Sequence, residues 1–140
     1  MSFREKSAWI SLLSVLIPFG YYFTALGRSL HSGQGPQRYF FFLLVACVIG
    51  QVAIQIALHV VAAVQAPKDA QAAKDERERL IELKSTRIAF YVLVVGVLMV
   101  AGSTHLGAGK ILMANGILLA LVLADLVRYS GQIVYFRRGC

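Results

Sequence analysis

A short stripe of polar residues interrupts one of the most apolar stretches of the sequence. Gln51, Gln55 and His59 recur every four residues, so a helix would align them along a single face. An imidazole can donate, accept or relay a proton, and the two amides can both donate and accept hydrogen bonds. This stripe is therefore a candidate for proton or ligand chemistry.

A second stripe lies near the C-terminus, where Asp125, Arg128 and Gln132 would also share one helix face. Rise per residue puts Asp125 and Gln55 at a similar depth, each roughly 15 Å from the inner end of its helix. Arg87 enters from a third segment on the same side. The predicted polar intramembrane site therefore comprises Gln51, Gln55, His59, Arg87, Asp125, Arg128 and Gln132.

This set of residues has two interpretations. In the functional one, Asp125 takes up a proton or a cation in a hydrated pocket, and His59 relays protons to bulk water. In the structural one, Asp125 and Arg128 neutralise each other at i,i+3, while the glutamines bridge helices. The structural interpretation is favoured, because the spacing matches no established ion site.

Other chemistries find no support in the residue pattern. His59 would lie near the inner face, whereas His31 and His105 would lie on the outer side, so no metal or haem site is expected. No nucleophile arrangement or intramembrane carboxylate pair is present, and the segment GAGK at 107–110 lacks the full phosphate-loop pattern. We therefore expect no enzyme activity, no cofactor and no metal. The net charge of +7 is dispersed, which argues against nucleic acid as a partner.

These polar residues must be positioned by helices that cross a membrane. Hydrophobic residues make up 58% of the 140-residue chain, more than a soluble fold of this size can bury. Four apolar segments reach spanning length, at about residues 8–27, 39–65, 86–104 and 110–136. The first lacks a cleavage site, so it is expected to be retained as a span. The glycine-rich segment 27–38 is expected to be a loop.

The predicted fold is an all-α integral membrane protein, an antiparallel four-helix bundle made of two helical hairpins. The N-terminus, the segment 66–87 and the C-terminus hold ten Lys and Arg residues, against three in the other two loops. Positively charged loops remain in the cytoplasm, so both termini of this multi-pass protein are expected there.

A mixed-charge segment precedes the third span. It is expected to form a cytoplasmic helix over about residues 68–87, continuous with that span and supported by opposite charges such as Arg79 and Glu82. Its solvated face is the predicted docking surface for a cytoplasmic or membrane protein partner. The residues assigned to it are Asp75, Glu76, Arg77, Glu78, Arg79 and Glu82.

Small residues indicate where helices could approach one another closely. These are Gly96, Gly102, Gly116 and Ala120, of which the last two form a small-x-x-x-small pair. Because a bundle of this size buries little protein surface, the chain is also expected to form a homo-oligomer. The lipid bilayer is its other expected partner. Cys47 and Cys140 are not expected to pair.

Three stretches of the chain resemble a group of small bacterial four-span proteins of unknown function. They are Glu5–Ile10, Asp75–Lys84 with Arg87–Tyr91, and Leu126–Tyr129 with Tyr135–Gly139. The resemblance implies a bacterial inner membrane and the four-helix layout, and it supplies no activity or catalytic residue. Small multidrug exporters have a similar size, but their membrane-embedded glutamate in the first span has no counterpart here.

Two functions follow as hypotheses. The first is a non-catalytic accessory or regulatory membrane protein that docks a partner through its charged cytoplasmic helix. The second is a small oligomeric transporter or proton-linked carrier that uses the polar intramembrane residues.

Overall fold

The computed structural model describes residues 3–33, 37–65, 75–107 and 109–138, and in these ranges the chain is helical apart from short turns. Its four α-helices are α1 (Phe3–Ser32), α2 (Gln37–Gln65), α3 (Glu76–Ser103) and α4 (Lys110–Arg138). Each contains 28 to 30 residues and so measures about 42–45 Å. All four are long and apolar enough to cross a membrane, as in a multi-pass membrane protein. The predicted all-α fold with four spanning-length helices is confirmed.

The chain divides into two compact units, residues 1–71 and 72–140. Each contains one helical hairpin, with α1 packed against α2 in the first and α3 against α4 in the second. The first hairpin is antiparallel, because His59 near the end of α2 contacts Ser7 and Ser11 near the start of α1.

The first helix extends beyond its predicted limits, so the prediction of a loop that begins at residue 27 is wrong. Gly27 is helical with open space around it, and α1 continues to Ser32. The helix ends where Gly33 adopts a φ of +65°, a conformation that glycine accepts without steric cost. A single glycine followed by ordinary helix formers therefore does not end this helix.

Buried residues on α1 recur at spacings of three and four, as expected for one packed helix face. The apolar ones are Ala8, Val15, Phe19, Tyr22 and Leu26. On α2, Cys47 is buried and free, and Cys140 lies outside the described residues.

In the second hairpin, α3 and α4 pack through small residues in a constant register. Ser85 lies against Gly131, Gly96 against Ala120, and Val100 against Gly116. Each step toward the C-terminus of α3 is matched by an equal step toward the N-terminus of α4, as antiparallel packing requires. We call these contacts the small-residue seam. Two further alanines, Ala89 and Ala124, are buried on the same two helices.

The expected close approaches at Gly96, Gly116 and Ala120 are therefore present, whereas Gly102 has nothing within 4 Å of the position of a Cβ. At the far end of the hairpin, a 3₁₀ turn over Thr104–Leu106 leads to Gly107, whose φ is +83°.

The third helix is continuous through residues 85–87, so the charged segment and the apolar segment form one helix from Glu76. The predicted cytoplasmic helix at 68–87 falls partly on residues 66–74, which lie outside the described residues. Asp75 is not helical and precedes the first helical residue.

Candidate functional site

The first hairpin places His59 between two serine hydroxyls of α1. Its Nδ1 lies 3.3 Å from Ser7 Oγ, and its Nε2 lies 3.3 Å from Ser11 Oγ. The two serines are one helical turn apart, so the imidazole fits between their side chains with one nitrogen directed at each. We call these three residues the His–Ser cluster.

A neutral imidazole carries one N–H donor and one lone pair, whereas each hydroxyl can both donate and accept. Whichever nitrogen holds the proton, one serine accepts from the ring and the other donates to it. A doubly protonated ring would donate to both hydroxyl oxygens after one hydroxyl rotates. The His–Ser cluster can therefore keep both contacts in either protonation state, as a proton-relaying group requires.

The polar groups continue along the hairpin beyond His59. Ser14 is buried and its hydroxyl donates to the backbone carbonyl of Ser11 at 2.8 Å. On α2, Gln55 and Gln51 lie one and two turns from His59, and both are half-buried. Antiparallel packing brings Gln55 level with the turn of α1 that holds Ser14. Neither glutamine makes a side-chain hydrogen bond to another described residue.

Sequence reasoning identified the His59 stripe but missed its partners. Ser7, Ser11 and Ser14 are spaced by four and three residues, a periodicity that could have indicated a hydroxyl-bearing helix face. Glu5 was not named as a candidate either, because it precedes the span that the sequence predicts from about residue 8. The residue is helical and only 7% exposed, so the first hairpin contains a buried carboxylate.

The second hairpin gives Arg128 a partner that differs from the expected one. An Nη of Arg128 lies 3.8 Å from a carboxylate oxygen of Glu82 on α3, and the two side chains are 35% and 40% exposed. The expected pairing with Asp125 does not come within 4 Å in the described residues. The guanidinium extends across the hairpin instead of back along α4, and it also lies 5.8 Å from the centre of the Tyr129 ring.

The other predicted site residues of this hairpin make no hydrogen bond or ion pair with Arg128 or Glu82 in the described part of the chain. Asp125 and Gln132 are half-buried on α4 and have no side-chain hydrogen bond among the described residues. Arg87 is exposed. It lies two residues beyond the buried Ser85, a rotation of about 200° that places it on the opposite face of α3 from the small-residue seam. Within this hairpin, Arg87 therefore does not join Asp125 and Arg128.

The predicted docking residues occupy the first two turns of α3, and the structure divides them by role. Asp75 caps the helix, since its carboxylate accepts the N–H of Glu76 at 2.8 Å. The carboxylate of Glu78 reaches back to the N–H of Asp75 at 3.4 Å, the reciprocal half of a capping box. No side-chain ion pair of Arg79 with Asp75 or Glu82 is present in the described part, whereas the expected pair of Glu78 with Lys74 involves a residue outside it.

Exposure adds a feature that the sequence did not indicate. Glu78 and Glu82 are half-buried, whereas the basic residues of the same segment are all exposed. The segment from Asp75 to Arg87 contains as many acidic as basic residues. Its exposed part therefore has a positive excess, contributed by Arg77, Arg79, Lys84 and Arg87.

The described residues contain no group of three or more His, Cys, Asp or Glu side chains that could hold a metal ion. The contacts described above are hydrogen bonds of His59 in the first hairpin and a charge pair of Arg128 with Glu82 in the second. The chain matches no protein-family model, no curated protein sequence and no solved structure.

Proposed function

We propose that this chain is a non-catalytic accessory or regulatory protein of a bacterial inner membrane, which docks a protein partner through the first two turns of α3. This assignment accords with the resemblance to small bacterial four-span proteins. The observation that carries it is the sorting of charge on this helix, where the acidic Glu78 and Glu82 are half-buried and Arg77 and Arg79 are exposed.

Two further features support docking at this place. Leu80 and Leu83 follow these arginines closely in the sequence, and their side chains are 52% and 65% exposed. Apolar side chains surrounded by charge are typical of protein interfaces, because burying them stabilises the complex while the charges orient the partner. The small-residue seam packs α3 against α4 and so supports the helix that carries this surface.

The proposed orientation places the start of α3 and both chain termini in the cytoplasm, following the bias in Lys and Arg. Cysteines introduced at the exposed positions Ser32 and His105 should react with an impermeant maleimide added outside cells. A cysteine at the exposed Glu76 should react only after the membrane is opened. Reaction of the Glu76 position from outside would overturn the orientation.

Docking is tested by photo-crosslinking in cells. We expect p-benzoylphenylalanine at Arg79 to give an adduct of one defined mass, and the same residue at His105, also exposed but at the other end of α3, to give none. The adduct should disappear when Arg77 is changed to Glu in the same chain. Adducts at both positions, or at neither, would contradict docking at this surface.

A second candidate is a small proton-linked carrier, and the His–Ser cluster is the specific observation in its favour. Its two contacts can persist whichever way the ring is protonated, so His59 can pass a proton without losing its position. In proteoliposomes with an entrapped pH-sensitive dye, the wild-type protein should then dissipate an imposed pH gradient. His59→Phe and Asp125→Asn should abolish this flux, and Ser32→Ala should not. Equal flux in all four proteins would exclude this candidate.

A further inference from the structure

The face of α3 that points away from α4 carries a second group of basic residues. Leu80, Lys84, Arg87 and Tyr91 are spaced by four, three and four residues, so they form one stripe along the helix. All four are exposed, in contrast to Ser85 and the other residues of the small-residue seam. This outward stripe is therefore distinct from the packed face.

The two cations of this stripe lack a carboxylate partner. Neither Lys84 nor Arg87 has an acidic residue three or four positions away, and neither forms an ion pair within 4 Å with a described carboxylate. They are instead three residues from each other, where like charges on one helix face repel. An anion placed between them would relieve that repulsion.

Position along the helix indicates which anion is available. Arg87 is the last charged residue before the apolar segment that begins at Ile88, which is the level of the phospholipid phosphates if α3 spans the membrane. Tyr91, 62% exposed, lies one turn farther into that segment, where its hydroxyl can reach the same level. Beyond it the outward face presents Val95 and Leu98, exposed at 56% and 64%, against which an acyl chain can pack.

We propose that Lys84, Arg87 and Tyr91 form a binding site for the headgroup of an anionic phospholipid. The phosphate of a phospholipid bears one negative charge, which Lys84 and Arg87 can share. The rest of an anionic headgroup carries no net positive charge that would repel these two cations. A zwitterionic headgroup brings its own cation and is the poorer ligand. This inference uses the membrane placement proposed above but not the docking partner, whose charged contacts Arg77 and Arg79 lie one to two turns closer to the N-terminus of α3.

The site is tested with the full chain in phosphatidylcholine bilayers that contain trace spin-labelled phosphatidylglycerol or spin-labelled phosphatidylcholine. Electron paramagnetic resonance gives the fraction of each label immobilised at the protein surface. We expect the wild-type protein to prefer phosphatidylglycerol. Lys84→Gln with Arg87→Gln should lower that preference by about fivefold for each charge removed, since a basic residue near the surface contributes ~1 kcal/mol.

A matched double variant separates a site from general electrostatic attraction. Arg77→Gln with Arg79→Gln removes the same charge from exposed positions of the same helix, and it should retain the lipid preference. Lys84→Arg with Arg87→Lys keeps both charges and should retain most of it, while circular dichroism verifies that every variant remains helical.

Three results would overturn the proposal. An equal loss in both glutamine variants would mean diffuse attraction to net charge. An unchanged preference in Lys84→Gln with Arg87→Gln would mean that these residues bind no lipid. Loss of the preference on adding millimolar inorganic phosphate at constant ionic strength would indicate a site for the free anion. Crosslinking at Arg79 tests docking independently, so failure of one proposal can be told from failure of the other.

Discussion

Gly96 and Ala120 face each other so closely that a Cβ built on Gly96 would lie 2.7 Å from the Cβ of Ala120. Carbon atoms in contact are normally at least 3.5 Å apart, so the two helices can pack at this distance only because residue 96 has no side chain. Close packing of α3 against α4 at this position therefore requires glycine at residue 96.

Gly96→Ala should therefore destabilise the second hairpin, although alanine favours helix formation more than glycine does. We expect a loss on the order of 1–3 kcal/mol in the free energy of unfolding, because the added methyl group forces the backbones apart. Titration of the protein in mixed micelles with a denaturing detergent measures it. The control is Gly102→Ala, where nothing lies within 4 Å and stability should be unchanged or higher. Equal effects at the two positions would refute the role of the contact.

Removal of the His–Ser cluster should weaken the first hairpin. We expect coupling between Ser11→Ala and His59→Ala in a double-mutant cycle of about 0.6 kcal/mol, the average for hydrogen bonds between membrane helices. Ser32→Ala serves as the control, since its hydroxyl donates only to the carbonyl of Ser29 on the same helix. Coupling of the same size between Ser32 and His59 would show that the cycle does not report the contact.

The partner of Arg128 can be identified in the same way. Glu82→Gln and Arg128→Gln should couple by roughly 0.5 kcal/mol, a small value because both side chains are more than a third exposed. Asp125→Asn with Arg128→Gln should couple less, since no contact within 4 Å joins those two residues. A larger coupling energy between Asp125 and Arg128 than between Glu82 and Arg128 would instead support the ion pair within α4 that the sequence predicts.

The capping of α3 predicts a local effect at the charged end of the second hairpin. Asp75→Ala removes the side-chain acceptor of the helix N-terminus and should cost about 1 kcal/mol, whereas Asp75→Asn preserves an acceptor and should cost little. Hydrogen exchange of the amides in the first turn should accelerate in the alanine variant alone. Acceleration throughout α3 would instead indicate that Asp75 stabilises more than the cap.

Continuity of α3 has a direct measurement. Spin labels at Arg77 and Val97 should be about 30 Å apart, because they are separated by 20 helical residues with a rise of 1.5 Å each. A markedly shorter distance would mean a break between the charged and apolar segments.

Hydrophobic segment length was enough to predict four helices, and the absence of Gly and Pro between Asp75 and Ile88 was enough to predict an unbroken third helix. A long apolar run has few ways to satisfy its backbone other than a helix, so the local sequence determines the element. The end of α1 was placed too early, because a glycine ends a helix only when the backbone leaves the helical region, as it does at Gly33 and not at Gly27.

Contacts between helices were harder to predict from residue spacing. The stripe that includes His59 was visible in the sequence, but the serines it contacts depend on the register of α2 against α1. The carboxylate nearest to Arg128 along the chain is Asp125, yet a long guanidinium side chain can reach Glu82 on the facing helix. Periodicity tells which residues share a face, and only packing determines what that face meets.

Both hydrogen-bond partners of His59 belong to the first hairpin, and this determines when during synthesis these contacts can form. A ribosome delivers residues 1–71 before any of the second unit, so the imidazole and both hydroxyls can meet while translation continues. The first hairpin can therefore complete these contacts without waiting for a later segment of the chain. In the second unit the contact of Glu82 with Arg128 likewise joins two helices of one hairpin, so it too can form as soon as that hairpin has been synthesised.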